Sequence, residues 1–73
     1  MVQSSTIELG EKFDVEKDWE EMNLYEDSTI QIVKEYSIRG THFVVANSDG
    51  EELDIPLYEF KFAERNNIIT SVF

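Results

Sequence analysis

Two glycine-bearing turn signals, set inside alternating apolar sequence, constrain this chain more than any other feature. Arg39-Gly40 reads as a tight hairpin turn, and Ser48-Asp49-Gly50 as a second one, because glycine accepts the positive φ that hairpin turns need. Before the first turn, in Thr29–Arg39, Ile30, Ile32, Tyr36 and Ile38 recur at period two, interrupted only by Lys34. Thr29, Gln31, Glu35 and Ser37 fall mostly on the other face. This alternation is the pattern of a half-buried strand. Thr41–Asn47, rich in Phe and Val, is the next strand, and Leu53, Ile55 and Leu57 mark a third. Pro56 has no N–H to donate, which places that third strand at a sheet edge or close to its own end.

The flanks are less regular. In Glu11–Asp27, Val15, Trp19 and Met22 follow at i, i+4 and i+7, one stripe of a helix. The expectation is a short helix over about Asp14–Glu26, with Asp14 as N-cap and Glu16 and Asp18 near the positive end of its dipole. Phe13 and Leu24 fall off the stripe, and Phe13–Val15 also alternates as a strand does. In the tail, Phe60 and Phe62 alternate, Asn66-Asn67 suits a two-residue turn, and Ile68–Phe73 can return as a strand. A helical turn over Leu57–Ala63 competes with that reading. The expected fold class is α+β: an antiparallel β-meander of three to five strands with one short helix, in a small SH3-like or sheet-plus-helix domain.

At 73 residues the chain has room for a single domain, residues 1–73. It carries 16 Asp and Glu against 6 Lys and Arg, a formal net charge of -10, yet nine residues are Phe, Tyr or Trp. That aromatic content separates it from a disordered acidic tail. The absence of cysteine removes disulfides and thiolate metal sites. Ordering a small chain costs roughly 1.5 kcal/mol per residue, which a core of this size barely offsets. Without disulfides or a visible metal-ligand set, self-association is the remaining device, and a homodimer is expected. Met1–Ser5 shows neither the basic region nor the apolar run of a signal peptide. The longest uninterrupted apolar run, Phe43–Ala46, falls far short of the ~20 residues needed to cross a bilayer. The expectation is a cytoplasmic location with no membrane contact.

No constellation of residues calls for catalysis. Acid–base chemistry needs two carboxyl groups in different environments, whereas Glu16, Glu20 and Glu21 would share one wet helix face. His42 is the only histidine. No nucleophile-elbow sequence surrounds any serine, and His42 either faces outward or packs beside Val44 and Ala46. Placing Gly50 at the invariant glycine of a calcium loop puts Val45 at the first ligand position and Pro56 where the bidentate Glu belongs. Zinc lacks ligands, and no glycine-rich phosphate loop is present. The reading is therefore no enzyme, no metal and no cofactor.

Direct nucleic-acid binding needs clustered Lys and Arg, and the basic residues here are scattered among acids. The acids themselves are concentrated: nine lie in Glu8–Asp27 and four in Asp49–Asp54. Asp14, Glu16, Asp18, Glu20, Glu21, Asp49, Glu51 and Glu52 form a candidate acidic binding face. Such a face either imitates a phosphate track, inhibiting a host nucleic-acid-binding protein, or only keeps a small protein soluble.

The stretch from Ile30 to Phe62, with Gly40-Thr41, Ser48-Asp49-Gly50-Glu51-Glu52 and Ile55-Pro56-Leu57, resembles small proteins of bacterial phages and prophages. Within that group it is most similar to the YopT family of Bacillus prophages, homodimers whose subunits each have one helix and three strands. The resemblance implies that fold and a dimer, and no activity. A three-strand scheme leaves Asn66–Phe73 without a place, which makes Ile68, Ile69, Val72 and Phe73 the candidate dimer contact. The functional expectation is a phage- or prophage-type interaction module that acts by surface contact on an unknown protein partner.

Overall fold

The computed structural model describes residues 8–72. Five strands form one antiparallel sheet: β1 (Lys12–Val15), β2 (Thr29–Ile38), β3 (Thr41–Ser48), β4 (Glu51–Pro56) and β5 (Ile69–Ser71). One helix, α1 (Leu57–Arg65), joins β4 to β5. The order across the sheet is β4-β3-β2-β1-β5, so α1 carries the chain from one edge to the other. This is a small α+β domain, with the three expected central strands and two more at the flank.

Both expected turns form. Arg39 and Gly40 have φ of 51° and 83°, and Asp49 and Gly50 have 55° and 86°, the left-handed pair that two-residue hairpins of primed type require. β4 is an edge strand and Pro56 is its last residue, so the missing N–H costs no ladder bond. Glu51, Glu52 and Asp54 on this edge oppose pairing with another chain.

The helix expected over Asp14–Glu26 does not form. Phe13 and Val15 alternate inward along β1, a 3-10 turn covers Glu20–Met22, and Asn23 turns left-handed at φ 57°. Trp19 and Leu24 face each other across this turn, with Trp19 N–H donating to the Leu24 carbonyl at 2.7 Å. Two physical reasons favour this outcome. A helix would have set Asp14 against Asp18 and Glu16 against Glu20 at i, i+4, where like charges repel. The inner edge of β2 also needs a partner strand, and β1 supplies it. Asp14 is no N-cap; its carboxylate accepts from Thr29 Oγ1 at 3.3 Å. Val15, Trp19 and Met22 still meet on one core, reached by strand and turn.

β2 holds the second departure. Ile32 pairs with Ala46 but Lys34 pairs with Val45, leaving Val33 as the extra residue of a β-bulge. Directly opposed residues share a face. The core row therefore runs Ile30, Ile32, then Glu35 and Ser37, while Lys34, Tyr36 and Ile38 turn to the outer face. The expected single row of Ile30, Ile32, Tyr36 and Ile38 is broken in the middle, and Lys34, the one polar residue in that row, marks the break. On the outer face Tyr36 stacks on Phe43 with ring centroids 5.1 Å apart.

In the tail the helical reading holds. Phe60 and Ala63 point inward from α1, Phe62 points outward, and the strand-like alternation of Phe60 with Phe62 is overturned. Asn67 at φ 58° ends the helix, with Asn67 N–H donating to the Glu64 carbonyl and Ile68 N–H to that of Ala63. This pair of bonds is a Schellman stop with asparagine in the left-handed position. The core joins Phe13, Val15, Trp19, Leu24, Ile30, Ile32, Val44, Ala46 and Ile55 with Phe60, Ala63 and Ile69. Phe13 and Phe60 meet edge-to-face at 5.1 Å. No helix among the described residues is long and apolar enough to cross a membrane.

Candidate functional site

Helix α1 presents an unusual surface for so acidic a chain. Phe60 and Ala63 set its inner side. At 100° per residue the opposite side falls on Tyr58, Lys61, Phe62 and Arg65. Tyr58 is 68% exposed and Phe62 49%, although a soluble helix normally turns such residues inward. The outward ridge thus consists of two aromatics and two cations, with no carboxylate. Glu59 and Glu64 lie on its flanks.

A groove runs along each side of the ridge. On one side Glu21 of the 3-10 turn approaches Tyr58, Glu59, Phe62 and Arg65. On the other, an open groove of about 510 Å³ separates α1 from the β2–β3 turn, lined by Gly40–His42 with Leu57, Tyr58, Lys61 and Arg65. Its far wall is His42. The ring is held through both nitrogens: Nε2 lies 2.7 Å from Glu35 Oε1, and Nδ1 lies 3.1 Å from Ser37 Oγ. His42 shares the core-face row with Val44 and Ala46, as one of the two sequence readings had it, but beyond the apolar cluster. The bulge at Val33 makes this possible, since it is what brings Glu35 and Ser37 into that row.

Ser37, His42 and Glu35 form a serine–histidine–carboxylate chain at hydrogen-bonding distances. For acyl transfer the arrangement also needs donors aimed at a developing oxyanion. What the hydrogen bonds show is a polar clasp that fixes the ring. Among the described residues His42–Glu35 is the only ion pair. No lysine or arginine there comes within 4.0 Å of a carboxylate, and the heads of Lys61 and Arg65 are committed to none.

The eight acids of the candidate face are not gathered on one surface. Asp49 lies with Asp27, Ser28, Thr29 and Ser48 around a small depression at the far end of the sheet, next to Asp14 through Thr29. Glu51 and Glu52 start β4 at that same end but point to opposite faces. Glu16 instead accepts from Thr70 Oγ1 at 2.6 Å, and Asp18 accepts from the Glu26 N–H at 3.0 Å. Glu20 and Glu21 sit on the 3-10 turn, Glu21 facing α1. No group of three or more potential metal ligands occurs among the described residues.

The candidate dimer contact is corrected in part. Ile69 is completely buried in the core of the single chain and has no side chain left to offer a partner. Ile68 packs against that core, Val72 is exposed, and Phe73 lies outside the described residues. The reason is the pairing of β5 with β1, where Val15 lies opposite Ile69. Sequence reasoning passed over Tyr58, Lys61, Phe62 and Arg65 because their pattern surfaces only once Leu57–Arg65 is taken as a full helix. The i, i+4 spacings of Tyr58 with Phe62 and of Lys61 with Arg65 were the available signal.

On the outer face Tyr36 O–H donates to Asp54 Oδ2 at 2.6 Å. That hydrogen bond, followed by burial and the adjacent negative charge, raises the Tyr36 pKa above its ordinary value. No protein-family model matches the chain, and neither the curated proteins nor the solved structures contain one significantly similar to it.

Proposed function

We propose that this protein is a non-catalytic interaction module of the phage or prophage type, which docks onto a protein partner through the outward ridge of α1. The observation that carries this reading is the exposure of Tyr58 and Phe62 one helical turn apart, flanked by Lys61 and Arg65. Aromatic residues and arginine are the types enriched at the energetic centres of interfaces. An amphipathic helix with a second, outward aromatic row offers such a centre on a rigid element. A cytoplasmic location belongs to the same reading, as does the absence of enzymatic activity.

The acidic-inhibitor alternative has less in its favour. Several of its acids are engaged in hydrogen bonds within the chain, and the eight do not share a face. Self-association has one specific support: β5 is a three-residue edge strand followed by the exposed Val72. The homodimer that the prophage resemblance implies would use this edge.

Affinity capture with the full chain and with Tyr58→Ala/Phe62→Ala tests the proposal. Both residues are exposed, so the variant should fold with an unchanged circular dichroism spectrum and lose the captured protein. A folded variant that retains its partner would refute the ridge as the docking surface. Light scattering on the same samples separates the dimer, and a monomer mass at high concentration removes it.

A further inference from the structure

Resting on the reading of α1 as a docking surface, we infer that the groove between α1 and the β2–β3 turn binds an acidic segment of the partner, carrying one or two carboxylates beside an apolar side chain. The argument is charge complementarity at a site whose surroundings make it improbable by chance. The chain has 16 acidic residues and 6 basic ones, yet no Asp or Glu lines this groove, while Lys61 and Arg65 both do. Neither cation pairs with a carboxylate within 4.0 Å among the described residues, and arginine in particular offers a planar fork that matches a carboxylate in two hydrogen bonds.

The apolar part of the ligand is read from the other liners. Leu57 is partly buried against the core and Tyr58 lies open beside it, forming a non-polar strip next to the two cations. His42 closes the groove with a ring whose nitrogens are occupied by Glu35 and Ser37. It therefore contributes shape and ring surface, and leaves carboxylate recognition to Lys61 and Arg65. The same clasp engages Glu35, the carboxylate beside the histidine, which does not itself line the groove.

Two other occupants fit less well. A nucleic acid is a polyanion, and a net charge of -10 repels it over a Debye length of about 8 Å at physiological salt. A short segment with one or two carboxylates meets the local cations without presenting a long run of charge to the acidic remainder. A second copy of the chain docking ridge to ridge would place Lys61 and Arg65 against themselves.

Selection of a random displayed-peptide library on the immobilised full chain tests the inference. The expected result is enrichment of peptides with Asp or Glu next to an aliphatic or aromatic residue. Their binding should weaken as salt is raised, and should fall roughly tenfold or more in Lys61→Glu/Arg65→Glu or when the peptide acid is replaced by its amide. Amide signals of Gly40–His42 and of α1 should shift on titration with a selected peptide. Peptides without acids, no selected peptides at all, or binding unchanged by Lys61→Glu/Arg65→Glu would overturn it. If Tyr58→Ala/Phe62→Ala abolishes partner capture while Lys61→Glu/Arg65→Glu leaves it intact, the docking ridge stands and the acidic ligand falls. The reverse pattern keeps carboxylate recognition by Lys61 and Arg65 and removes the aromatic ridge, together with the part of the non-polar strip that Tyr58 supplies.

Discussion

Between Thr29 and Pro56 every strand pairs with its neighbour in sequence across a two-residue turn, whereas β1 and β5 meet from opposite ends of the chain, Phe13 lying opposite Ser71. The first region closes only short loops, and its geometry is set locally by turn residues and alternation. The second must bring distant segments together, and there side-chain packing joins the backbone ladder in holding it: Phe13 on Phe60, Val15 opposite Ile69, Trp19 beneath the 3-10 turn. The contrast teaches where the stability of this small chain is concentrated. The meander supplies a template, and the flank with α1 converts it into a closed core.

The largest effect should come from removing a packing residue of the flank. Phe60 is completely buried, and Phe60→Ala should cost about 3–5 kcal/mol, enough to unfold most of so small a domain. Urea denaturation checks this, and a loss below about 1 kcal/mol would show that α1 is not integral to the core. The two tail residues sharpen the same point. Ile69→Ala should cost about 2–5 kcal/mol, while Val72→Ala should change stability by no more than about 0.5 kcal/mol. Equal effects at both positions would mean that β5 does not sit in the sheet as described.

Within the meander the expected effects are smaller and local. Gly50 adopts φ 86°, so Gly50→Val should destabilise by roughly 1 kcal/mol or more. A neutral result would displace the turn. The other turn carries Arg39 at φ 51°, a conformation that asparagine tolerates better. Arg39→Asn should therefore stabilise by a few tenths of a kcal/mol, measurable as a rise in urea midpoint at constant slope.

Tyr36 offers a pH-dependent probe of the same half. Its pKa is raised in the folded chain, chiefly by the hydrogen bond to Asp54. The folded state thus holds the phenol proton more tightly than the unfolded state. The associated stability is fully present below the ordinary tyrosine pKa of about 10, and is lost as pH rises through the folded value. Tyr36→Phe should abolish that part of the alkaline loss, and parallel pH–stability curves for the two proteins above pH ~10 would refute the pairing.

These two regions also differ in how far they could be read from the residues. Ile30, Ile32, Val44, Ala46, Leu53 and Ile55 announce their strands because alternation is a property of neighbours, and Gly40 and Gly50 mark the turns because backbone sterics are local. Val15, Trp19 and Met22 carry an apolar spacing that suits a helix equally well, and only the demand of β2 for a partner made β1 a strand. The tail carried both alternatives openly, and the spacing of Phe60 and Ala63 decided for the helix once the sheet existed to be covered.

The candidate site lay at the limit of such reading. Tyr58, Lys61, Phe62 and Arg65 are visible as residue types, but their exposure depends on which side of α1 faces the sheet. The concentration of acids was legible at once, while its dispersal over separate surfaces was not, because side chains such as Glu16 take partners far along the chain.

By itself, then, the sequence determined the antiparallel meander, its two turns, the confinement of Pro56 to a sheet edge or a strand end and the acidic character of the surface, all of which follow from local sterics, alternation and composition. The tertiary structure alone decided the pairing of β1 with β5, the bulge at Val33 that moves Glu35 and Ser37 beside His42, the burial of Ile69 and the outward ridge of α1. Each of these depends on which distant surface a residue meets, and a one-residue slip in register is enough to exchange one face of a strand for the other.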